Sequence, residues 1–267
     1  ILDEVEARSD FYRFRQIADV DVGIVTGANK FFLVPDELVE RYSLHEWAHP
    51  MFGRSDHCPG VIYDDAQHAR NAADGKPANF LWLTGEEVVR SKTARAYIKA
   101  GEREDLHKRY KCRIRSPWYT VPSVYSTEIG MLKRSHDTPR LILNRANAFT
   151  TDTAYRIRAT KGCAEQVVFG FMNGLTALTA ELEGRHYGGG VLELVPSEIE
   201  RMIVPDPEKV VADVEKLDRM IRNESVADTL EVQSEAVLGG LGLSKNQQMD
   251  LLEAWSALRN RRQRLPD

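Results

Sequence analysis

Two spacings in this chain could carry chemistry, and they point in different directions. His45-Glu46-Trp47-Ala48-His49 fits the H-E-x-x-H pattern, in which two histidines one helical turn apart hold zinc and the glutamate activates a metal-bound water. Pro50 directly after the second histidine disfavours helical geometry there and stops a helix from continuing. The extended pattern asks for Gly at 52 and His at 55, where the chain has Phe52 and Ser55. A zinc-dependent hydrolase using His45, Glu46 and His49 stands as the alternative of a different class. Polar histidines on a surface segment are the plainer reading.

The second spacing is a run of cations. Between Arg90 and Arg115 ten basic residues face three acidic ones, a balance of +7 in a chain of −4, which leaves −11 for the rest. Arg109, Lys111, Arg113 and Arg115 alternate with Tyr110, Cys112 and Ile114. That period of two predicts a strand with one cationic and one buried face. Such a ribbon calls for a polyanion, and nucleic acid is the obvious one; a solvated edge strand guarded by cations is the plain alternative. "SPWY" at 116–119 superficially resembles the motif that holds a flipped base in amino-methyltransferases. Trp118 stands where that motif has its second proline, and no glycine-rich strand–turn–helix precedes it. Trp118 and Tyr119 are better read as a structural corner beside DNA.

The 267 residues, 42% hydrophobic and 28% charged, can bury one large core or two small ones. Three widely spaced cysteines, Cys58, Cys112 and Cys163, argue against a disulfide framework and for a reducing cytoplasm. No apolar run approaches the ~20 residues of a membrane helix. The opening "ILDEVEARSD" has neither an initiator Met nor a signal peptide's apolar core, so a piece of a longer protein is expected.

The elements that would position these residues follow from pattern. "DVGIVTG" (21–27) and "KFFLV" (30–34) read as strands joined in a hairpin across Gly27-Ala28-Asn29. Pro35-Asp36 opens a short helix through Tyr42, and 43–76 is irregular. "NFLWL" (79–83) reads as a strand, followed by a helix from a Thr84 cap to about Ala100. "RLILNRANAF" (140–149) and "TAYRIRA" (153–159) are further strands. Apolar residues at helical spacing predict one helix over 165–184, ended by Gly184. "HYGGGVLELVP" gives a glycine turn and a strand. Past Pro205 the chain is charged and helical.

Four segments taken in order, "VGIVTGANKFFLV" (22–34), "YIKAGEREDLHKRYKCRIRSPWYTVP" (97–122), "LILNRANAFTTDTAYRI" (141–157) and "MNGLTALTAELEGRHYGGGVLELVPSEIERMIVPDP" (172–207), resemble one family. The chain is similar to the C-terminal target-recognition region of gamma-type N6-adenine DNA methyltransferases from restriction–modification systems, over roughly residues 15–207. That resemblance implies an α/β fold of the α+β type, with a mixed or antiparallel sheet and packed helices. A recognition domain at 1–207 would carry a helical C-terminal extension at 208–267.

The resemblance also implies that 22–34 and 144–158 face double-stranded DNA. Thr26, Asn29 and Lys30 would reach backbone or base edges from a turn. Arg109, Lys111, Arg113, Arg115 and Arg156 would meet phosphates or guanine edges. Asn144, Arg145 and Asn147 offer donors and acceptors suited to adenine and guanine, while Thr150, Thr151 and Asp152 contact bases or cap a turn. S-adenosylmethionine and the base-methylating motif would belong to a catalytic domain upstream in the same protein, so this piece alone would not methylate. A DNA specificity subunit of a multi-subunit restriction system is the alternative within the same class.

Overall fold

A computed structural model describes residues 2–265. Its centre is a five-stranded sheet in the order Ala18–Val22, Ala154–Ala159, Ile129–Leu132, Leu141–Asn144, Ile62–Tyr63. The first four strands run antiparallel and the last pair is parallel. A four-stranded mixed sheet, Phe149–Thr150, Ala48–Phe52, Asn79–Leu81, Leu33–Val34, stands beside it. Helices pack on both, and the fold is α/β with mixed and antiparallel sheets.

Two large apolar interiors result, with a smaller cluster of Phe52, Cys58, Tyr63, Ile142 and Ala148 beside them. One joins the large sheet to the helices Ala164–Phe171 and Gly174–Glu183 and includes Val214, Leu217, Leu230, Leu238, Leu251 and Trp255 from the helices beyond 207. The C-terminal helices thus share a core with the central sheet. The other interior lies around the smaller sheet and the helix Lys92–Arg103, where Phe31 stacks on Tyr97 at 4.5 Å and meets Trp118 at 4.9 Å.

The hairpin expected across Gly27-Ala28-Asn29 does not form. Ala18–Val22 pairs with Ala154–Ala159, while Asn29–Phe32 is a helical turn leading into the short strand Leu33–Val34. Gly23 explains the path of the chain: a Cβ there would lie 2.1 Å from the carbonyl oxygen of Thr151, so only glycine allows 23–24 to run against 150–152. The predicted cationic strand is also absent. Residues 106–108 form a 3-10 turn and Tyr110–Arg113 a short helix. Apolar residues at i, i+2 and i+4 fit a strand face, but in a helical turn i and i+4 share one side and i+2 takes the other. Only Cys112 is buried, whereas Tyr110 and Ile114 are each 63% exposed.

The helix expected over 165–184 is two. Asn173 breaks it by accepting from the Thr176 amide and donating to the Gly170 carbonyl, which caps the second helix. Ser91 likewise interrupts the helix expected from Thr84 and caps Lys92–Arg103 through the Ala94 amide. The segment read as irregular holds the strand Ala48–Phe52 and the helix Asp65–Ala73. The strand expected at 153–159 and the helix at 36–42 match the structure; the strand expected at 79–83 is formed over Asn79–Leu81, and that expected at 140–149 divides into Leu141–Asn144 and Phe149–Thr150, which belong to different sheets.

His57 is 1% exposed and neither ring nitrogen has a partner among the described residues. Burial pushes its pKa down to about 4, with Asp56 opposing and Arg54 and Lys76 assisting. The ring is neutral in the folded state and charges more readily when unfolded. Its contribution is therefore complete above pH 6.5 and is lost as pH falls toward 4. We expect urea titrations to show on the order of 2 kcal/mol less stability at pH 4 than at pH 7 from this group. His57→Leu should flatten that part of the profile; an unchanged profile would exclude His57 as its source.

Candidate nucleic-acid interface

The cations segregate in three dimensions as they do along the chain. On the helix Lys92–Arg103, Lys92, Arg95, Lys99 and Arg103 occupy one exposed side, opposite the buried Ala94, Tyr97, Ile98 and Gly101. Their spacing of three and four residues keeps them in one stripe about 16 Å long, near the axial length of five steps of a DNA strand. None of the four has a carboxylate within ion-pair distance among the described residues. Arg90 and Lys108, by contrast, are paired with Glu86 and Asp105.

The following turn continues the charge. Arg109, Lys111 and Arg113 are exposed and have no ion pair among the described residues. Lys111 and Arg113 lie 5.8 and 5.5 Å from the centre of the Tyr110 ring. Gly27, with φ +79, seats the neighbouring loop: a Cβ there would stand 2.5 Å from that of Lys111. The two segments therefore enclose an open groove of about 610 Å3, lined by Val22, Val25, Lys111, Ile114, Arg115 and Arg156 among others.

Arg115 and Arg156 are built into the walls of this groove. Arg115 donates to the carbonyls of Thr26 and Val25, both at 2.7 Å. Arg156 donates to Val22 and Ser123 carbonyls at 2.6 and 2.8 Å and lies 3.6 Å over the Tyr125 ring. Burial lowers the pKa of both guanidiniums. Because carbonyl oxygens are neutral, their positive charge is not cancelled by the groups that hold them. Asp21 is the nearby acid; its hydrogen bond to Tyr125 raises that phenol above its ordinary range.

The other sequence candidates divide into exposed groups and groups turned inward. Thr26 is fully buried, donating to Asn29 Oδ1 and accepting from the Ala28 amide at 3.2 Å. Asn29 and Lys30 are exposed, and Asn29 reaches Asp152 at 3.5 Å. Thr150 and Thr151 are buried, the latter 3.2 Å from the Thr153 hydroxyl. Asn144 is buried and closes the 144–148 turn through Ala148, also donating to the Thr127 carbonyl at 2.9 Å. Arg145 is paired with Glu215 at 2.9 Å, and Asn147 is exposed in the left-handed region at φ 50. Trp118 donates to Glu102 at 3.2 Å and packs edge-on against Tyr119. The exposed Tyr110 and Ile114 were missed by the strand reading; counting them at helical rather than strand spacing is the signal that finds them.

The zinc geometry is not formed. His45–Trp47 is a 3-10 turn and His49 lies in the strand Ala48–Phe52, so the two histidines do not share a helix face. His45 pairs with Glu40 at 2.8 Å, while His49 packs against Trp82 and Phe149. Among the described residues no group of three or more His, Cys, Asp or Glu is arranged to hold a metal. The glycines 188–190 turn the hairpin between Arg185–Tyr187 and Val191–Glu193, which is not a strand-to-helix cofactor loop. No described helix is long and apolar enough to cross a membrane.

Comparison with known proteins places these features in a family context. The family model described as the C-terminal domain of type II methyltransferase M.Eco57I matches residues 1–238. The type II methyltransferase M.AccI of Acinetobacter calcoaceticus is 22% identical over 199 residues, covering 72% of this chain and 36% of that protein. The crystal structure of the type IIG restriction endonuclease BpuSI shares the fold, with a TM-score of 0.60 at 14% identity, over 97% of this chain and 32% of that one. The chain thus spans about a third of the length of each of these relatives.

Proposed function

We propose, from the premise that this chain belongs to the family of C-terminal domains of type II methyltransferases represented by M.Eco57I, that it is the DNA target-recognition part of a restriction–modification methyltransferase. The observation that carries this reading is the stripe of cations on Lys92–Arg103, continued at Arg109, Lys111 and Arg113, without ion-pair partners among the described residues, on a chain whose net charge is −4. A stripe of that length without carboxylate partners matches a duplex backbone. Phosphate contacts there would position the domain, and the exposed Asn29, Lys30, Asn147 and Asp152 are available for base edges.

In the parent protein the reaction is methyl transfer from S-adenosylmethionine to adenine N6. On this reading, donor binding and catalysis belong to another domain of the same protein. The role of this chain is to hold and read double-stranded DNA. A specificity subunit serving a separate enzyme uses the same surface and is the second reading; the family model, described as the C-terminal domain of a type II methyltransferase, favours an attached domain.

Selection from a pool of random duplexes by the 267-residue chain at low salt tests this. Convergence on a short motif is the expected result. Retention without any motif would reduce the role to backbone binding. No retention by a folded chain at 50 mM salt would overturn the reading, since unpaired cations act most strongly there.

A further inference from the structure

Tyr110 and Ile114 sit one turn apart on the same side of a short helix, each 63% exposed. The Tyr110 hydroxyl has no hydrogen-bond partner among the described residues, and the Lys111 ammonium and Arg113 guanidinium lie over its ring, 5.8 and 5.5 Å from its centre, too far to close its faces to a base. Ile114 also lines the groove, together with Val22 and Val25, which are 45% and 38% exposed. Single exposed apolar residues are ordinary. Here the aromatic ring stands among Arg109, Lys111 and Arg113, cations with no acid to hold them among the described residues.

We propose that Tyr110, backed by Ile114, stacks on a nucleobase exposed at an opened step of the bound DNA, while the adjoining cations hold the flanking phosphates. This deepens the DNA-binding reading and rests on it. The occupant follows from charge and shape together. Cations select a polyanion, and a flat ring between them offers a π-face that every base can use regardless of sequence. Bases inside an intact duplex have both faces covered, so the ring gains a partner only where a step is unpaired or unstacked. The Ile114 side of the groove gives such a base an apolar wall.

The test uses the full chain and two labelled duplexes of one sequence, fully paired or carrying one unpaired 2-aminopurine. Fluorescence anisotropy gives the affinity and 2-aminopurine quenching reports the stack. The wild-type chain should bind the second duplex more tightly and quench it. Tyr110→Ala should weaken that complex by about 5- to 150-fold, the range for loss of one aromatic–base stack, with a smaller effect on the paired duplex. Tyr110→Phe should retain both properties, and Ile114→Ala should show a graded loss. Equal binding of both duplexes by wild type and Tyr110→Ala, with quenching unchanged, would overturn the stacking role and mark the ring as a protein contact. Failure of the wild-type chain to bind either duplex would instead overturn the DNA-binding reading itself.

Discussion

A chain with alanine at Arg109, Lys111 and Arg113 is expected to bind duplex DNA on the order of 10³ times more weakly than wild type at 50 mM salt, with a log–log salt slope flatter by about 2.7. Each neutralised phosphate contributes about 0.9 to that slope, and the electrostatic contribution is taken to vanish near 1 M salt. At 200 mM the deficit should therefore shrink to on the order of 10². The loss should be nearly uniform across sequences, because phosphate contacts position and do not specify. Structural damage is a small concern: the three side chains are exposed, and the Lys111 Cβ that packs beside Gly27 is retained in alanine. Anisotropy titrations over a salt series measure both quantities. An unchanged slope would remove this turn from the interface and leave the stripe on Lys92–Arg103 to account for any binding.

Arg262→Ala is expected to cost about 3–5 kcal/mol of stability, the effect of orphaning a buried charge. The Arg262 and Glu181 side chains are both 0% exposed, with contacts of 2.9 and 2.6 Å between them. Arg262 also donates to the carbonyls of His136 and Asp137 at 2.7 and 3.0 Å and to that of Gly190. Its removal leaves a carboxylate in the interior with His186, 3.7 Å away, as its remaining ionisable neighbour. The helix Lys245–Gln263 and the helix Gly174–Glu183 would lose their polar link, although Trp255 and Leu251 still pack in the shared core. Arg262→Lys should recover only part of the loss, since an ammonium cannot reproduce the planar fork. The double replacement Arg262→Met with Glu181→Leu should be milder than Arg262→Ala alone. Urea denaturation decides the case, and a single-variant cost under about 1 kcal/mol would show that water reaches the pair.

Much of the cationic surface was legible because charge segregation needs no knowledge of pairing. Lys92, Arg95, Lys99 and Arg103 have helical spacing, and Ala94, Tyr97, Ile98 and Gly101 fill the opposite side, so local sequence determines both faces once a helix is recognised. Pro50 told against the zinc helix for an equally local reason. The strands at 141–144 and 154–159 carry enough apolar and β-branched residues to be read directly.

Tertiary structure alone decided what each polar residue does. Tyr110–Ile114 carries only three apolar positions, too few to separate a strand from a helical turn, and the packing of Cys112 decided the matter. Asn144, Thr150 and Arg156 look like DNA-reading residues by type, yet their surroundings bury them, and Asn144 and Arg156 hold main-chain carbonyls from distant segments. Charge, composition and helical faces are local properties, set by which residues follow one another. Whether a side chain meets solvent or a carbonyl more than a hundred residues away, as Arg156 meets Val22, depends on non-local strand pairing, and that is decided only when the chain buries its core.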